Sequence, residues 1–335
     1  MAVTEAPARA PVAKSKKAYS NEDHGRLAAM LLTPTMAVLL IVIGYPILAA
    51  MYQSLFTTNQ GVDESGFVQE GEKFTGLDNY TAIFSGAAGE RFWNAFYNTT
   101  FFTVVCVVIE VIIGVMMALI MNKAFTGKGL IRASILVPWA IPTVVSALLW
   151  RWIFDANGVA NNIINQQILW STDGWQAKAA VIIADTWKTA PFIGLLVLAG
   201  LQVIPAEVYE AAKIDGASAI SQFRHITLPL VKPALLVAVL FRILDNLRMF
   251  DLPYVLVGAQ KPSVETVSIL AFLENNNARF GSAAAFAVLL FLYIVVVAYA
   301  FVRLLGADVI GDARVKTPKA AKRRPNRSIA RGDTP

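Results

Sequence analysis

Ionisable side chains interrupt two of the most apolar stretches of the sequence, where a charge is costly unless it has a partner or a ligand. In the first stretch, Asp185 and Lys188 are three residues apart and share one face of a helix. They can neutralise each other as an internal ion pair. Alternatively, they can bind the hydroxyl groups of a sugar-like ligand, while Trp187 or Phe192 stacks on its ring. The sequence leaves both interpretations open.

The second stretch is denser in polar groups and contains Arg242, Asp245, Asn246, Arg248 and Asp251. Arg242, Asp245 and Asn246 fall within one helical sector, which cannot face lipid and must line a cavity or pack on another subunit. Arg242, Arg248 and Asp251 are equally consistent with a gate or with an ion-pair network between subunits.

Long apolar helices must position these side chains. Of the 335 residues, 56% are hydrophobic and 16% are charged, against roughly 25% charged residues in an ordinary soluble domain. Six runs are long enough to cross the hydrocarbon core, which needs about 20 mostly apolar residues. They are 28–55, 97–121, 131–154, 179–203, 230–257 and 283–305. The sequence therefore predicts an all-α integral membrane protein with six transmembrane helices, the third kinked by Pro138 and Pro142.

The basic residues set the orientation of these helices. If the N-terminus is cytoplasmic, the inside segments carry most of the 29 lysines and arginines, as the positive-inside rule requires. We therefore expect both termini in the cytoplasm: a tail 1–26, a membrane domain 27–305 with an external loop 56–96, and a basic, disordered tail 306–335. Because the excess positive charge lies in the tails beside a hydrophobic body, membrane lipid is an expected partner and nucleic acid is not.

Several kinds of chemistry are not supported by the residues present. The single cysteine, Cys106, permits no intrachain disulfide, and the two histidines are far apart in sequence. No phosphate-binding loop of the form G-x-x-x-x-G-K-[ST] occurs, so this chain does not hydrolyse ATP by that route. We therefore predict no catalytic residue and no metal site.

Other polar and aromatic residues have structural interpretations. Glu110, alone in the second helix, is expected to hydrogen-bond a neighbouring helix. If Glu110 or Asp185 instead binds an ion, the chain would be a secondary transporter driven by an ion gradient, and this alternative function stays open. Five tryptophans are expected in the membrane interface rather than at a ligand: Trp139, Trp150, Trp152, Trp170 and Trp175.

The predicted inside loop between the fourth and fifth helices has an unusual composition. Pro205 can begin a helix, because its missing N–H is not needed in the first turn, and a short helix to Asp215 follows. Gly216 can adopt the left-handed conformation that ends it, and 217–226 can form a second short helix before Pro229. Its many alanines leave a surface that another protein can approach closely, so we predict a docking element.

The same loop carries a motif. Glu210-Ala211-Ala212 is followed after three residues by Gly216 and, after nine more, by Ile226-x-Leu228-Pro229. This pattern resembles the EAA signature of the membrane subunits of binding-protein-dependent ABC importers. The resemblance extends over the whole predicted membrane domain. Segments 185–201 and 241–251 are most similar to the carbohydrate branch, in particular to mycobacterial trehalose permeases.

The resemblance implies a type I (MetI-like) importer permease fold and a non-catalytic permease subunit of an ATP-driven sugar importer in the plasma membrane. Trehalose is the best-matched sugar. The loop 204–229 is then a coupling loop that contacts a cytoplasmic ATPase. Its implied coupling residues are Glu210, Ala211, Ala212, Asp215, Gly216, Leu228 and Pro229. The resemblance also places ligand contacts on the fourth and fifth helices, and the candidate substrate-binding residues are Asp185, Lys188, Phe192, Asp245 and Asn246.

Partners follow from the same resemblance. They are a second homologous permease, a dimer of ABC ATPases and an extracytoplasmic sugar-binding lipoprotein. No cofactor is expected on this chain, since ATP and Mg²⁺ would be bound by the ATPase. The external loop 56–96 and the outside segment 258–281 are expected to receive the binding protein.

Overall fold

The computed structural model describes residues 21–58, 71–123 and 127–303. Within them the chain is almost entirely helical. In chain order the helices are α1 (Asn21–Leu39), α2 (Tyr45–Gln53), α3 (Asp78–Ile83), α4 (Gly86–Asn122), α5 (Lys128–Ala140), α6 (Thr143–Ile153), α7 (Val159–Ile164), α8 (Trp175–Gln202), α9 (Ala206–Ile214), α10 (Ala219–Gln222), α11 (Leu228–Leu247), α12 (Asp251–Leu256), α13 (Val267–Asn276) and α14 (Phe280–Phe301). Two π-helical turns, Leu40–Gly44 and Phe223–Thr227, continue α1 into α2 and α10 into α11. The predicted all-α membrane fold is confirmed.

Five of the helical segments in the described residues are long and apolar enough to cross a membrane. They are Gly25–Gln53, Gly86–Asn122, Trp175–Gln202, Ala219–Leu247 and Phe280–Phe301. The sixth predicted span is a pair of shorter helices, α5 and α6, which meet at an angle of 96°. Six spans are therefore present only if this bent pair is counted as one.

The break between α5 and α6 is sharper than the predicted kink. Ile141 is extended, with φ −75° and ψ 133°, as expected for a residue that precedes a proline, and Pro142 is the N-cap of the next helix. The fifth predicted span is also interrupted: α11 ends at Leu247 and α12 begins at Asp251. The prediction of an uninterrupted helix was therefore wrong for the fifth span, and the bend predicted for the third span is a complete break.

Three long helices, α4, α8 and α11, pack together at the centre of the chain. Glycines permit the close contact between them. A Cβ atom added to Gly114 of α4 would lie 2.8 Å from Ile193 Cβ of α8, and one added to Gly200 of α8 would lie 2.8 Å from Ala234 Cβ of α11. Buried apolar side chains such as Phe102 fill the rest of this interface. Polar side chains on the three helices are consequently brought within reach of each other.

The end of the bundle at which α4 begins carries a small ordered cap. Strands β1 (Phe56–Thr58) and β2 (Glu72–Phe74) pair antiparallel, with Phe56 opposite Phe74. Asn79 Nδ2 donates to the carbonyl oxygens of Ser54 and Phe56, both at 2.8 Å, and so fixes α3 to this hairpin. Helix α4 begins at Gly86, so the end of the predicted external loop is helical. The predicted tail 306–335 and most of the tail 1–26 lie outside the described residues.

Candidate functional site: a polar cavity at two helix breaks

A cavity of about 350 Å³ lies where the two interrupted spans face α8. Trp139 and Thr143 flank the break between α5 and α6, and Arg248, Met249 and Phe250 form the break between α11 and α12. The remaining lining residues come from α8, α11 and α12: Asp185, Lys188, Thr189, Arg242, Asp245, Asn246, Asp251 and Leu252. Irregular backbone at membrane depth is tolerated where it lines a cavity, and discontinuous helices form binding sites in many transporters.

Lys188 satisfies the backbone at the first of these breaks. Its Nζ donates to the Ile141 carbonyl oxygen at 2.9 Å, and its side chain is buried. Without this donor the Ile141 carbonyl would lose a partner where the helix is broken. An ammonium group has three donors, so Lys188 retains further N–H groups beside the cavity.

Arg242 is the centre of a buried ion network that joins α4, α8 and α11. Its Nε donates to Glu110 Oε2 at 2.6 Å, its Nη2 to Asp185 Oδ2 at 2.6 Å and its Nη1 to Asp245 Oδ2 at 2.5 Å. The Arg242 and Glu110 side chains are 3% and 0% exposed, whereas that of Asp245 is 54% exposed. The expected hydrogen bond of Glu110 to a neighbouring helix is confirmed. The network turns one side toward the cavity and keeps Glu110 behind it.

Asn246 lines the cavity, and Arg242 fixes which end of its amide is paired. Arg242 Nη2 donates to Asn246 Oδ1 at 2.7 Å, and a guanidinium has only donors, so the amide oxygen must face it. Asn246 Nδ2 is then directed elsewhere. It is buried and has no hydrogen-bond partner within the described part of the chain. A buried donor without a partner is costly, and an oxygen of a bound ligand would satisfy it.

The charges that line the cavity are balanced. Lys188, Arg242 and Arg248 are opposed by Asp185, Asp245 and Asp251. Formal charge along the lining is therefore zero, while donors and acceptors are abundant. Such a lining suits an uncharged ligand that has many hydroxyl groups.

The structure corrects the predicted pairing of Asp185 with Lys188. Asp185 is paired with Arg242 across the interface of α8 and α11, while Lys188 is occupied by the Ile141 carbonyl. Helical spacing made the i, i+3 pair plausible, but the partners from other helices cannot be seen in sequence. An internal ion pair of α8 is therefore not what these two residues form.

The five predicted substrate-binding residues lie around two adjoining cavities. Asp185, Lys188, Asp245 and Asn246 line the first, and Phe192 lines a second of about 230 Å³ that shares Arg242 and Asp245 with it. Their role in binding stays a prediction.

Trp139 was assigned to the membrane interface, yet it lines both cavities. Its ring stacks on that of Phe192 with centroids 5.8 Å apart and planes at 24°. Trp187, by contrast, packs edge-on against Trp150 at 5.6 Å. The position of Trp139 between Pro138 and Pro142 could have indicated this role, because the break in the helix turns the aromatic ring inward.

The described residues contain one group of side chains with the spacing of a metal site, Cys106, Glu110 and Asp185. Arg242 already donates to both carboxylates at 2.6 Å. The positive charge that a metal ion would supply beside these carboxylates is thus already present in Arg242.

The predicted coupling loop forms a helix and a tight turn at the other end of α8. Pro205 precedes α9, and Gly216 has φ +75°, the left-handed conformation that was predicted. Most of the candidate coupling residues are exposed, whereas Ala212 is buried against its own chain. We therefore expect Ala211, not Ala212, to be available for close approach by another protein.

The second short helix of this loop does not end before Pro229. Helix α10 continues through the π-helical turn into α11, and Pro229 lies in the first turn of α11. Proline has no backbone N–H to donate. It is tolerated here because it directly follows the π-helical turn, where the regular hydrogen-bond pattern of the α-helix is already interrupted. Tyr209 Oη and Thr227 Oγ1, 3.1 Å apart, tie α9 to the base of α11. This contact connects α9 to the helical segment that continues into α11, which carries Arg242 and Asn246.

The segment 257–266, which precedes α13, is held in place by side chains from α4 and from the turn before α8. Arg91 forms a two-pronged pair with Glu265 at 2.8 and 2.6 Å. Asn98 Nδ2 donates to the Pro262 carbonyl at 2.7 Å, and the Ser263 N–H donates to Asp173 Oδ1 at 2.8 Å. These bonds from Ser263 hold the pKa of Asp173 below its usual value. The segment is an ordered surface at the end of the bundle where α4 and α8 begin.

Comparisons with known proteins agree with this architecture. The profile of the family described as "Binding-protein-dependent transport system inner membrane component" matches residues 110–311. The chain is 37% identical over 275 residues to the trehalose/maltose transport system permease protein MalF of Thermococcus litoralis, covering 80% of this chain and 90% of the relative. It is 35% identical over 313 residues to the trehalose transport system permease protein SugA of Mycobacterium tuberculosis, covering 92% and 98%.

The fold is also similar to that of solved transporters. A chain in the crystal structure of a bacterial ABC transporter that imports the acidic polysaccharide alginate superposes with a TM-score of 0.67 at 22% identity, covering 88% of this chain and 98% of that one. A chain of the MetNI methionine ABC transporter superposes with a TM-score of 0.52 at 18% identity, covering 67% and 98%.

Proposed function

This chain belongs to the binding-protein-dependent transport system inner membrane components, and from that membership we propose that it forms half of the sugar path of an ATP-driven importer. It is a permease subunit of a sugar ABC importer. The proposed path runs through the cavity at the two helix breaks. The proposed substrate is an uncharged disaccharide, with trehalose the best candidate.

The composition of the cavity lining carries the choice of substrate class. Its formal charge is zero, two aromatic rings stack at its side, and the Asn246 amide nitrogen has no partner in the described residues. Uncharged sugars need hydroxyl partners and an apolar face, and this lining offers both. Two relatives of the chain are named for trehalose or for trehalose and maltose, which supports the choice of an uncharged disaccharide.

We further propose that α9 and Gly216 form the coupling element that contacts the ATPase. Support comes from the exposure of Glu210 and Ala211 and from the contact of Tyr209 with Thr227, which links α9 to α11. In this proposal the ATPase dimer binds ATP and Mg²⁺, and this chain binds neither. A second homologous permease completes the path. A sugar-binding lipoprotein delivers the sugar at the outer surface, and both termini lie in the cytoplasm.

The ion-gradient-driven alternative requires a carboxylate that is free to bind an ion. Asp185 and Glu110 were its candidates, and both are occupied by the guanidinium of Arg242. That pairing, together with the family, favours the importer.

The proposal is tested by purifying the tagged chain from its native host with its associated proteins and reconstituting the complex in liposomes. We expect an ATPase, a second permease and a sugar-binding protein to copurify, and trehalose to stimulate ATP hydrolysis and its own uptake. Glu210→Ala is expected to lower the stimulated hydrolysis several-fold while leaving membrane insertion intact. Uptake that needs an ion gradient and no ATP would overturn the importer. Stimulation by other sugars but not by trehalose would overturn the choice of substrate alone.

A further inference from the structure

We propose that Glu110 is a positioning residue of the cavity, which acts through Arg242 and Thr189 without contacting the ligand. The inference rests on the proposed function of the cavity as a sugar site. Glu110 is on α4, is completely buried and is not among the residues that line either cavity. Its two carboxylate oxygens nevertheless contact two side chains that do line them.

The first contact fixes the plane of the Arg242 guanidinium. Nε is 2.6 Å from Glu110 Oε2, and Nη2 is 3.1 Å from Glu110 Oε1, which is the two-pronged geometry that arginine and carboxylate favour. A guanidinium held by two of its nitrogens cannot rotate about its own axis. Its outer N–H groups are therefore aimed at fixed points, Asp185 Oδ2, Asp245 Oδ2 and Asn246 Oδ1.

The orientation of the Asn246 amide follows from that fixed plane. Because Arg242 Nη2 donates to Asn246 Oδ1 at 2.7 Å, the amide nitrogen is the end that remains for a ligand. If the guanidinium turned, the amide would be free to flip and to present its oxygen instead. Through Arg242, Glu110 thus determines that the end of the Asn246 amide left without a partner in the described residues is its donor.

The second contact orients the Thr189 hydroxyl. Thr189 Oγ1 is 2.7 Å from Glu110 Oε1 and 2.5 Å from the Asp185 carbonyl oxygen, and in both cases the hydroxyl is the donor. Its single hydrogen is therefore committed to the protein, and its oxygen is left as an acceptor beside the cavities. Asn246 and Thr189 therefore contribute one unpaired donor and one acceptor to residues that line the cavity. Sugar hydroxyl groups both donate and accept, so a sugar can use either kind of group.

Substitution of Glu110 tests this role in the reconstituted complex. In Glu110→Gln, one acceptor oxygen becomes an N–H donor that faces the donors of Arg242, so the guanidinium must turn. We expect the trehalose-stimulated increase in ATP hydrolysis, relative to the basal rate, to fall about tenfold, which corresponds to one lost hydrogen bond. Glu110→Asp keeps the charge and is expected to recover part of the loss. Lys123→Gln, at an exposed residue just after the same helix, is the matched control and should behave as wild type.

A double-mutant cycle with Asn246→Ala separates positioning from general damage to the fold. If Glu110 acts mainly through Asn246, Glu110→Gln should cause little further loss in the Asn246→Ala background. A full tenfold loss in that background, or wild-type stimulation in Glu110→Gln alone, would overturn the positioning role. If another sugar stimulates the wild-type complex and trehalose does not, only the proposed substrate fails, and the same cycle with that sugar tests the positioning role.

Discussion

Replacing Arg242 by methionine is expected to destabilise the helix bundle strongly. The guanidinium is 3% exposed and donates to Glu110 and Asp185, whose side chains are 0% and 9% exposed. Removing it leaves two buried carboxylates without a counter-charge. Breaking a buried ion pair from one side costs about 3–5 kcal/mol, because the remaining charge has neither water nor a partner.

Cys106 supplies the assay. It is the only cysteine of the chain, is completely buried and lies on α4 one turn before Glu110. A maleimide can reach its thiol only when this part of the bundle opens. Mass spectrometry of the Cys106 peptide in the purified complex measures the labelling rate. At 1.4 kcal/mol per tenfold, a cost of about 3–5 kcal/mol corresponds to labelling of Arg242→Met that is roughly a hundredfold to several thousandfold faster than that of wild type.

Two further variants make the result specific to the buried charges. Arg248→Met removes an arginine from the same polar stretch, but its side chain is 70% exposed, and labelling should stay within a fewfold of wild type. Glu110→Met combined with Arg242→Met removes one orphaned carboxylate and should recover part of the loss. Wild-type labelling in Arg242→Met would refute the reasoning, since the carboxylates would then not need the guanidinium.

Three other changes have defined outcomes. Gly216→Ala places a Cβ at φ +75° and should strain the turn by about 1 kcal/mol, so that trehalose-stimulated ATP hydrolysis falls while the basal rate of the complex is kept. Trp139→Ala should lower trehalose uptake by reconstituted liposomes, and Trp139→Phe should retain part of it, because stacking needs an aromatic face. Folding lowers the pKa of Asp173, because the ionised carboxylate accepts hydrogen bonds from Ser263. The stability that these bonds give to the segment before α13 is present above the unfolded pKa of about 4. It is lost as the pH falls through the lower pKa of the folded state. Hydrogen exchange at the Ser263 amide should show that loss, and Asp173→Asn should weaken the protection at neutral pH.

The number and order of apolar segments were predictable because membrane thickness imposes a length that composition records. The clustering of charged and polar side chains around 185–192 and 242–251 was predictable for a related reason: charge at membrane depth demands a partner, so its position is informative. Gly216 was also correctly placed, since a glycine after a short helix commonly adopts a positive φ.

The partners of the charged residues were not predictable. Helical spacing relates residues of one helix, such as Asp185 and Lys188. In the structure, however, Asp185 pairs with Arg242 of α11, and Lys188 donates to the carbonyl oxygen of Ile141, which precedes a proline. The sharp turn at Ile141 and Pro142 depends on that same tertiary contact. Two prolines indicate a bend, but whether the bend is slight or nearly perpendicular is decided by what satisfies the exposed carbonyl.

Close packing explains why the ion network can exist at this depth. Gly114 lies one turn after Glu110 on the same face of α4, and a Cβ there would come within 3.0 Å of the Ala190 carbonyl oxygen of α8. The missing side chain lets the two backbones approach, which brings Glu110 within 2.7 Å of Thr189 and 2.6 Å of Arg242. A larger residue would separate the helices and lengthen these bonds. The glycine on the buried face and the charges beside the cavity are therefore parts of one arrangement, in which tight helix contact sets the direction of every donor that a ligand would meet.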